Sequence, residues 1–169
     1  PDDNPFSLIW NRLGREVTAV GNLLDYLAWR GDLVFDRAPF SPVDGLILSA
    51  LSYIHFDGLI PEQAERSVPL AQAAKDYLAL SPTLRGRSRC EKDLSLLQTL
   101  ASSPRFARLE LCACADRFVP REETQFAALT VLLGDGSAFL AFRGTDGTLV
   151  GWKEDFNLSF MDVVPAQLE

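Results

Sequence analysis

The stretch Ala138–Phe156, AFLAFRGTDGTLVGWKEDF, constrains this chain more than any other. It opens with five apolar residues, Ala138–Phe142, of strand length and aromatic content. The run breaks at Arg143-Gly144-Thr145-Asp146-Gly147. Leu149, Trp152 and Phe156 then recur at i, i+3 and i+7, the spacing of a helix. The reading is strand, Gly-rich polar turn, helix. In open α/β sheets, ligands gather at the carboxyl end of a strand where such a turn sits. A hydroxyl residue held there between glycines can aim its amide and its OH at a developing negative charge. The same residues also admit a purely structural reading: Gly144 supplies a positive φ and Thr148 caps the following helix.

Upstream of this stretch the period is helical. Val20, Leu23, Leu24 and Leu27 predict a helix over Val17–Arg30, with Gly31 as a left-handed cap. Ser41-Pro42-Val43-Asp44 is a helix start, and Val43, Leu46, Ile47, Ala50, Leu51 and Ile54 form its apolar face. His55 follows at the end of that helix, where a lone histidine serves as a favourable contact with the helix dipole. Phe56–Pro69 reads as a loop. Leu70–Leu80 is the next helix. Ser88 and Glu91 match a capping box for another over Arg89–Ala101. Pro1–Glu16 carries Phe6, Ile9 and Trp10 among polar residues and reads as a docking arm; residues 17–167 read as one domain.

After Ser102-Ser103-Pro104 the period changes to two. Leu109, Leu111, Ala113 and Ala115 alternate with Glu110, Cys112, Cys114 and Asp116, so Cys112 and Cys114 are expected on one strand face. Thr124–Leu133 is apolar and β-rich, Gly134-Asp135-Gly136-Ser137 is a turn, and Ala138–Phe142 returns. Strands over Leu109–Phe118, Gln125–Leu133 and Ala138–Phe142 thus form an antiparallel meander.

Charge narrows the function classes. A net charge of −7 on 169 residues argues against nucleic acid and against an anionic membrane surface. No apolar run is long enough for a transmembrane segment. The three cysteines have no framework spacing. With one histidine they make no metal set, so no metal and no cofactor is expected. Three unpaired thiols suit a reducing, cytoplasmic compartment.

The Ala138–Phe156 wording resembles the oxyanion-loop strand of the class 3 (fungal-type) lipases. There an apolar strand ends in F-R-G-T/S and a W-x-x-D/N-F helix follows, matched by Phe142-Arg143-Gly144-Thr145 and by Trp152-Lys153-Glu154-Asp155-Phe156. The upstream part is similar to a bacterial family of uncharacterised α/β-hydrolases related to those lipases. The matching residues are Asp25-Tyr26-Leu27, Gly31-Asp32, Phe35, Pro39-Phe40, Val43-Asp44 and Leu48–Tyr53. The resemblance implies an α/β fold, α+β in appearance here. Helices pack on an antiparallel strand group that leads into the first part of an α/β-hydrolase sheet. It also implies a serine ester hydrolase acting on an ester or lipid-like small molecule. Thr145 is then the oxyanion-hole residue and Asp146 shapes its loop, while Asp155 braces that loop or pairs with Arg143.

The nucleophile elbow G-x-S-x-G of that family is absent from residues 1–169. The nearest imitation, Gly86-Arg87-Ser88-Arg89-Cys90, lacks its second glycine and its strand. Leu168-Glu169 matches the residues a common cloning junction encodes. The expectation is therefore an N-terminal piece of a longer protein, itself inactive, whose uncovered strand edge drives homodimerisation. A non-catalytic, protein-binding scaffold of the same shape is the alternative.

Overall fold

A computed structural model describes residues 22–85, 91–144 and 149–168. The first helix, α1, spans Leu23–Arg30. Asn22 starts it: its Oδ1 accepts from the amides of Leu24 and Asp25, at 2.8 and 3.2 Å, and Asp25 Oδ2 accepts from the Asn22 amide at 2.7 Å. The expected start at Val17 and the docking arm lie outside the described residues. Gly31 closes α1 with φ −67°, ordinary right-handed backbone and not the left-handed cap. Glycine is needed there for room, since a Cβ would stand 2.4 Å from the Leu27 carbonyl oxygen and 3.0 Å from Ser103 Oγ.

Helix α2, Pro42–Leu51, begins at the expected Ser41 capping box. Its inward face is turned from the expected one. Ile47, Leu48, Ala50 and Leu51 are buried, whereas Val43 and Leu46 are exposed. The cause is Asp44, which is fully buried and so rotates the helix about itself. Asp44 accepts five hydrogen bonds, from Tyr26 Oη, from the amide and hydroxyl of Ser41, and from Nε and Nη2 of Arg105. Arg105 also donates to the carbonyls of Leu33, Ala38 and Pro39 and lies 4.0 Å above the Phe35 ring. One guanidinium thus binds the connector between α1 and α2 to the segment that enters the sheet.

A two-residue strand β1, Val68–Pro69, leads into α3, Leu70–Ala79. That strand falls inside the stretch expected to be loop, and its length leaves no period to read. Helix α4 spans Glu91–Ser102; Ser88, its expected cap, is outside the described residues. Strands β2 (Glu110–Val119), β3 (Thr124–Leu132) and β4 (Ala138–Phe142) form the expected meander. The sheet is antiparallel in the order β1-β2-β3-β4. Gly134 and Gly136 take φ of 85° and 88°, which turns β3 into β4 in few residues.

Helices α1–α4 pack on one face of this sheet. The shared core runs from Leu48, Leu51, Tyr77 and Leu97 to Leu111, Leu129 and Val131. The class is α+β, with helices gathered on one face of an antiparallel sheet. A last helix, α5, spans Leu149–Asn157, and a 3-10 turn covers Pro165–Leu168. Both lie against β3, and neither supplies a member of the helix-side core. They therefore cover the opposite face. Trp152 and Phe156 of the expected stripe do not dock α5: Gly151 is buried, while they are 68% and 70% exposed. Among the described residues no helix is long and apolar enough to cross a membrane.

Candidate functional site

The expected oxyanion residues, Thr145 and Asp146, lie outside the described residues, as do Gly147 and Thr148. What precedes them is described. Arg143 continues the β3–β4 register beyond Phe142 and donates its amide to the Ala127 carbonyl at 2.9 Å. Its side chain is 4% exposed and reaches across the sheet to Asp116 on β2. Nη1 donates to Asp116 Oδ2 at 2.9 Å, and Nη2 donates to Oδ1. Such a two-pronged pair fixes orientation as well as charge. His55, on the loop after α2, places Nδ1 2.7 Å from the same Oδ2 and 3.3 Å from Arg143 Nη1. The histidine expected to serve a helix end therefore meets a carboxylate 61 residues away. Arg143 finds its counter-ion in Asp116.

Cross-strand geometry explains the meeting. Asp116 pairs with Ala127, and Arg143 falls opposite Ala127 on the other side. The three occupy one row on the helix-facing side of the sheet. Alanine in the middle keeps the row low, so the guanidinium passes over it. A bulge puts Asp116 in that row. The register slips between Cys112 and Ala115, and Ala113 takes φ 46°. The extra residue reverses the alternation. Asp116 thereby shares a face with Leu111, and Cys112 and Cys114 do not keep the common face that simple alternation requires. Ala113 is strained in left-handed backbone. Ala113→Gly should therefore raise stability by about 0.5–1 kcal/mol, roughly 2 °C in Tm; thermal unfolding by circular dichroism checks it, and an unchanged or lower Tm refutes it.

Beside the cluster lies a cavity of about 160 Å³, lined by Asp57, Gly58, Ile60, Glu62, the bulge residues Cys114–Asp116, and Arg117. The Cys114 amide donates to the Pro61 carbonyl at 3.1 Å, tying the bulge to this loop. Burial, then the charges of Asp57 and Asp116, push the Cys114 thiol up to about 11. It stays protonated at neutral pH and is no nucleophile. Burial also raises Asp57, with Asp116 adding to it. Burial acts the same way on Asp116, but the hydrogen bonds from His55 and Arg143 outweigh it and hold the group below the usual carboxylate range. Asp116 is thus an anion fully engaged in anchoring Arg143. Among the described residues no group of three His, Cys, Asp or Glu side chains is placed to hold a metal ion.

Gly144 is exposed and does not adopt left-handed backbone; a Cβ there would stand 3.3 Å from Tyr53 Oη. Beyond the loop, Lys153 Nζ and Asn157 Nδ2 donate to Glu123 at 2.9 and 3.1 Å, tethering α5 to the β2–β3 turn. Arg143 at the end of β4 and α5 are thus each joined by side-chain bonds to the same sheet. His55 and Asp116 were not legible as partners, because their meeting depends on a bulge that alternation cannot announce. Compared with known proteins, no curated protein and no solved structure matches this chain. The Mbeg1-like family model matches residues 100–169, less than half of the chain but including both the Arg143 strand and α5.

Proposed function

We propose that this chain supplies the oxyanion-loop side of a lipase-like serine ester hydrolase, with the nucleophile contributed by sequence outside residues 1–169. One observation carries the reading: Arg143, the arginine of F-R-G-T, is buried and clamped to Asp116 at the end of β4. A donor that stabilises an oxyanion must be fixed before the charge develops. The clamp fixes the backbone two residues ahead of Thr145, and the Glu123 bonds fix the helix after it. Thr145 then donates its amide and hydroxyl to the oxyanion, and Asp146 shapes the loop. The second donor is the amide following the serine. The substrate is an ester of acyl-lipid character.

The test uses the protein that carries this chain together with its downstream segment. Hydrolysis of p-nitrophenyl butyrate and labelling by a fluorophosphonate probe are the expected results. Thr145→Val should lower kcat about a hundredfold, with KM little changed, through loss of the hydroxyl donor. The aromatic surface of α5 favours a second reading, a non-catalytic scaffold of the same shape. Absence of probe labelling in the folded protein selects the scaffold and rejects the hydrolase.

A further inference from the structure

We infer that His55 is a positioning residue: with a proton on Nδ1, it holds Arg143 in place through Asp116. Its catalytic consequence rests on the hydrolase reading; its geometry does not. Asp116 is held below the usual carboxylate range, so at neutral pH it is ionised and only accepts hydrogen bonds. His55 Nδ1 lies 2.7 Å from Asp116 Oδ2 and must therefore be the donor. Arg143 Nη1 donates to the same oxygen at 2.9 Å. The 3.3 Å approach of Nη1 to Nδ1 is then a contact between two donors sharing one acceptor, not a bond between them. The His55 and Asp116 side chains are 32% and 9% exposed, so the bond they make is largely shielded from water.

This third donor does what the arginine fork cannot. A two-pronged pair fixes guanidinium and carboxylate relative to each other. Both belong to the sheet, however, and the pair is free to swing as one body where β4 ends. His55 comes from outside the sheet, on a loop that is itself anchored. Ile54 and Phe56, on either side of His55, are buried in the core. Phe56 packs edge-on against Tyr77, with ring centroids 5.6 Å apart. The amides of Leu59 and Ile60 donate back to the Phe56 carbonyl at 2.9 and 3.3 Å. Alternation leaves Tyr53 and His55 half-buried. The Tyr53 hydroxyl covers the next residue of the strand exit, since a Cβ on Gly144 would stand 3.3 Å from its Oη. Two side chains of one anchored loop thus bear on two successive residues, Arg143 and Gly144. Support of this kind, from a rigid element to a residue beside a reacting group, is what keeps a site in productive geometry.

Nitrogen-15 NMR of the chain of residues 1–169 at pH 7 reads the proton directly. A protonated Nδ1 is expected, and a bare Nδ1 overturns the inference. In His55→Leu the Arg143 amide should exchange about tenfold faster, while the Val131 amide in the middle of the sheet is unchanged. His55→Asn, whose amide nitrogen stands in for Nδ1–H, should restore the slow rate. Equal acceleration at both amides is a general loss of stability and overturns the inference, as does no change at Arg143. In the longer protein, His55→Leu should lower kcat for p-nitrophenyl butyrate about tenfold with KM unchanged, and His55→Asn should recover most of it. An active native protein whose His55→Leu variant keeps its kcat overturns the positioning role. A native longer protein that neither hydrolyses the ester nor takes a fluorophosphonate probe rejects the hydrolase reading alone, and the NMR and exchange results on residues 1–169 then decide the role of His55. Should His55→Leu fail to fold, His55→Gln takes its place, because its amide nitrogen stands in for Nε2 and not for Nδ1.

Discussion

Arg105→Met lowers Tm by about 10–15 °C. Removing one partner of a buried ion pair leaves an uncompensated charge and costs about 3–5 kcal/mol, and for a chain of this size each kcal/mol moves Tm by roughly 2–4 °C. Both side chains are fully buried. The loss reaches further than the pair, because the carbonyls of Leu33, Ala38 and Pro39 lose their donor too. The pH dependence separates this cause from a packing defect. Burial pushes the Asp44 carboxyl up, but hydrogen bonds from Arg105 and Ser41 outweigh it and hold the group down. A depressed carboxyl stabilises the fold above its unfolded value of about 3.9 and loses that contribution as pH falls through the native value. In Arg105→Met burial is no longer outweighed, so the carboxyl rises and protonation relieves the fold. The gap in Tm between the two proteins should narrow from pH 7 to pH 4. A gap independent of pH, or a loss below 2 °C, would show that the pair is not what holds the connector. Asp44→Leu combined with Arg105→Met should cost less than Arg105→Met alone, since no stranded charge remains.

Asp116→Asn is the second large effect, a loss of about 2–4 kcal/mol and roughly 6–12 °C. The amide keeps the shape and one acceptor but strips the counter-charge from a guanidinium that water cannot reach. The sign with pH is the same as for Asp44. Asp116 is held low, so its contribution is present above the unfolded carboxylate value and fades as pH falls toward the native one. The native protein should therefore lose stability in acid while Asp116→Asn loses less, and their unfolding curves should approach each other. Under the proposed hydrolase function, the same change in the longer protein should lower kcat more than it raises KM, the result expected of a positioning residue. Unchanged Tm together with unchanged kcat would remove Arg143 from any role in the turn.

Much of the local structure was readable from residues alone. Ser41-Pro42-Val43-Asp44 announced a helix start, and the box formed there. The glycines at 134 and 136 marked the β3–β4 turn because only glycine takes that backbone cheaply. The strand and the helix of Ala138–Phe156 were visible because their periods differ and a Gly-rich break separates them. The faces were less readable. Val43 and Leu46 belong by period to the buried stripe of α2, yet a single buried carboxylate turned them outward. Trp152 and Phe156 carry helix spacing, but α5 buries its small residue, Gly151, and leaves these aromatics in solvent.

The sequence by itself determined the kind and approximate bounds of α2, α3 and strands β2, β3 and β4. Capping, turn chemistry and periodicity are short-range effects, complete within a few neighbouring residues. Only the tertiary structure decided that His55, Asp116 and Arg143 share one site. Their partnership rests on one extra residue in β2, on an alanine low enough to be crossed, and on a side-chain contact between His55 and Arg143, 88 positions apart. Partners so distant are chosen by the packing of the whole domain, and no local rule encodes them.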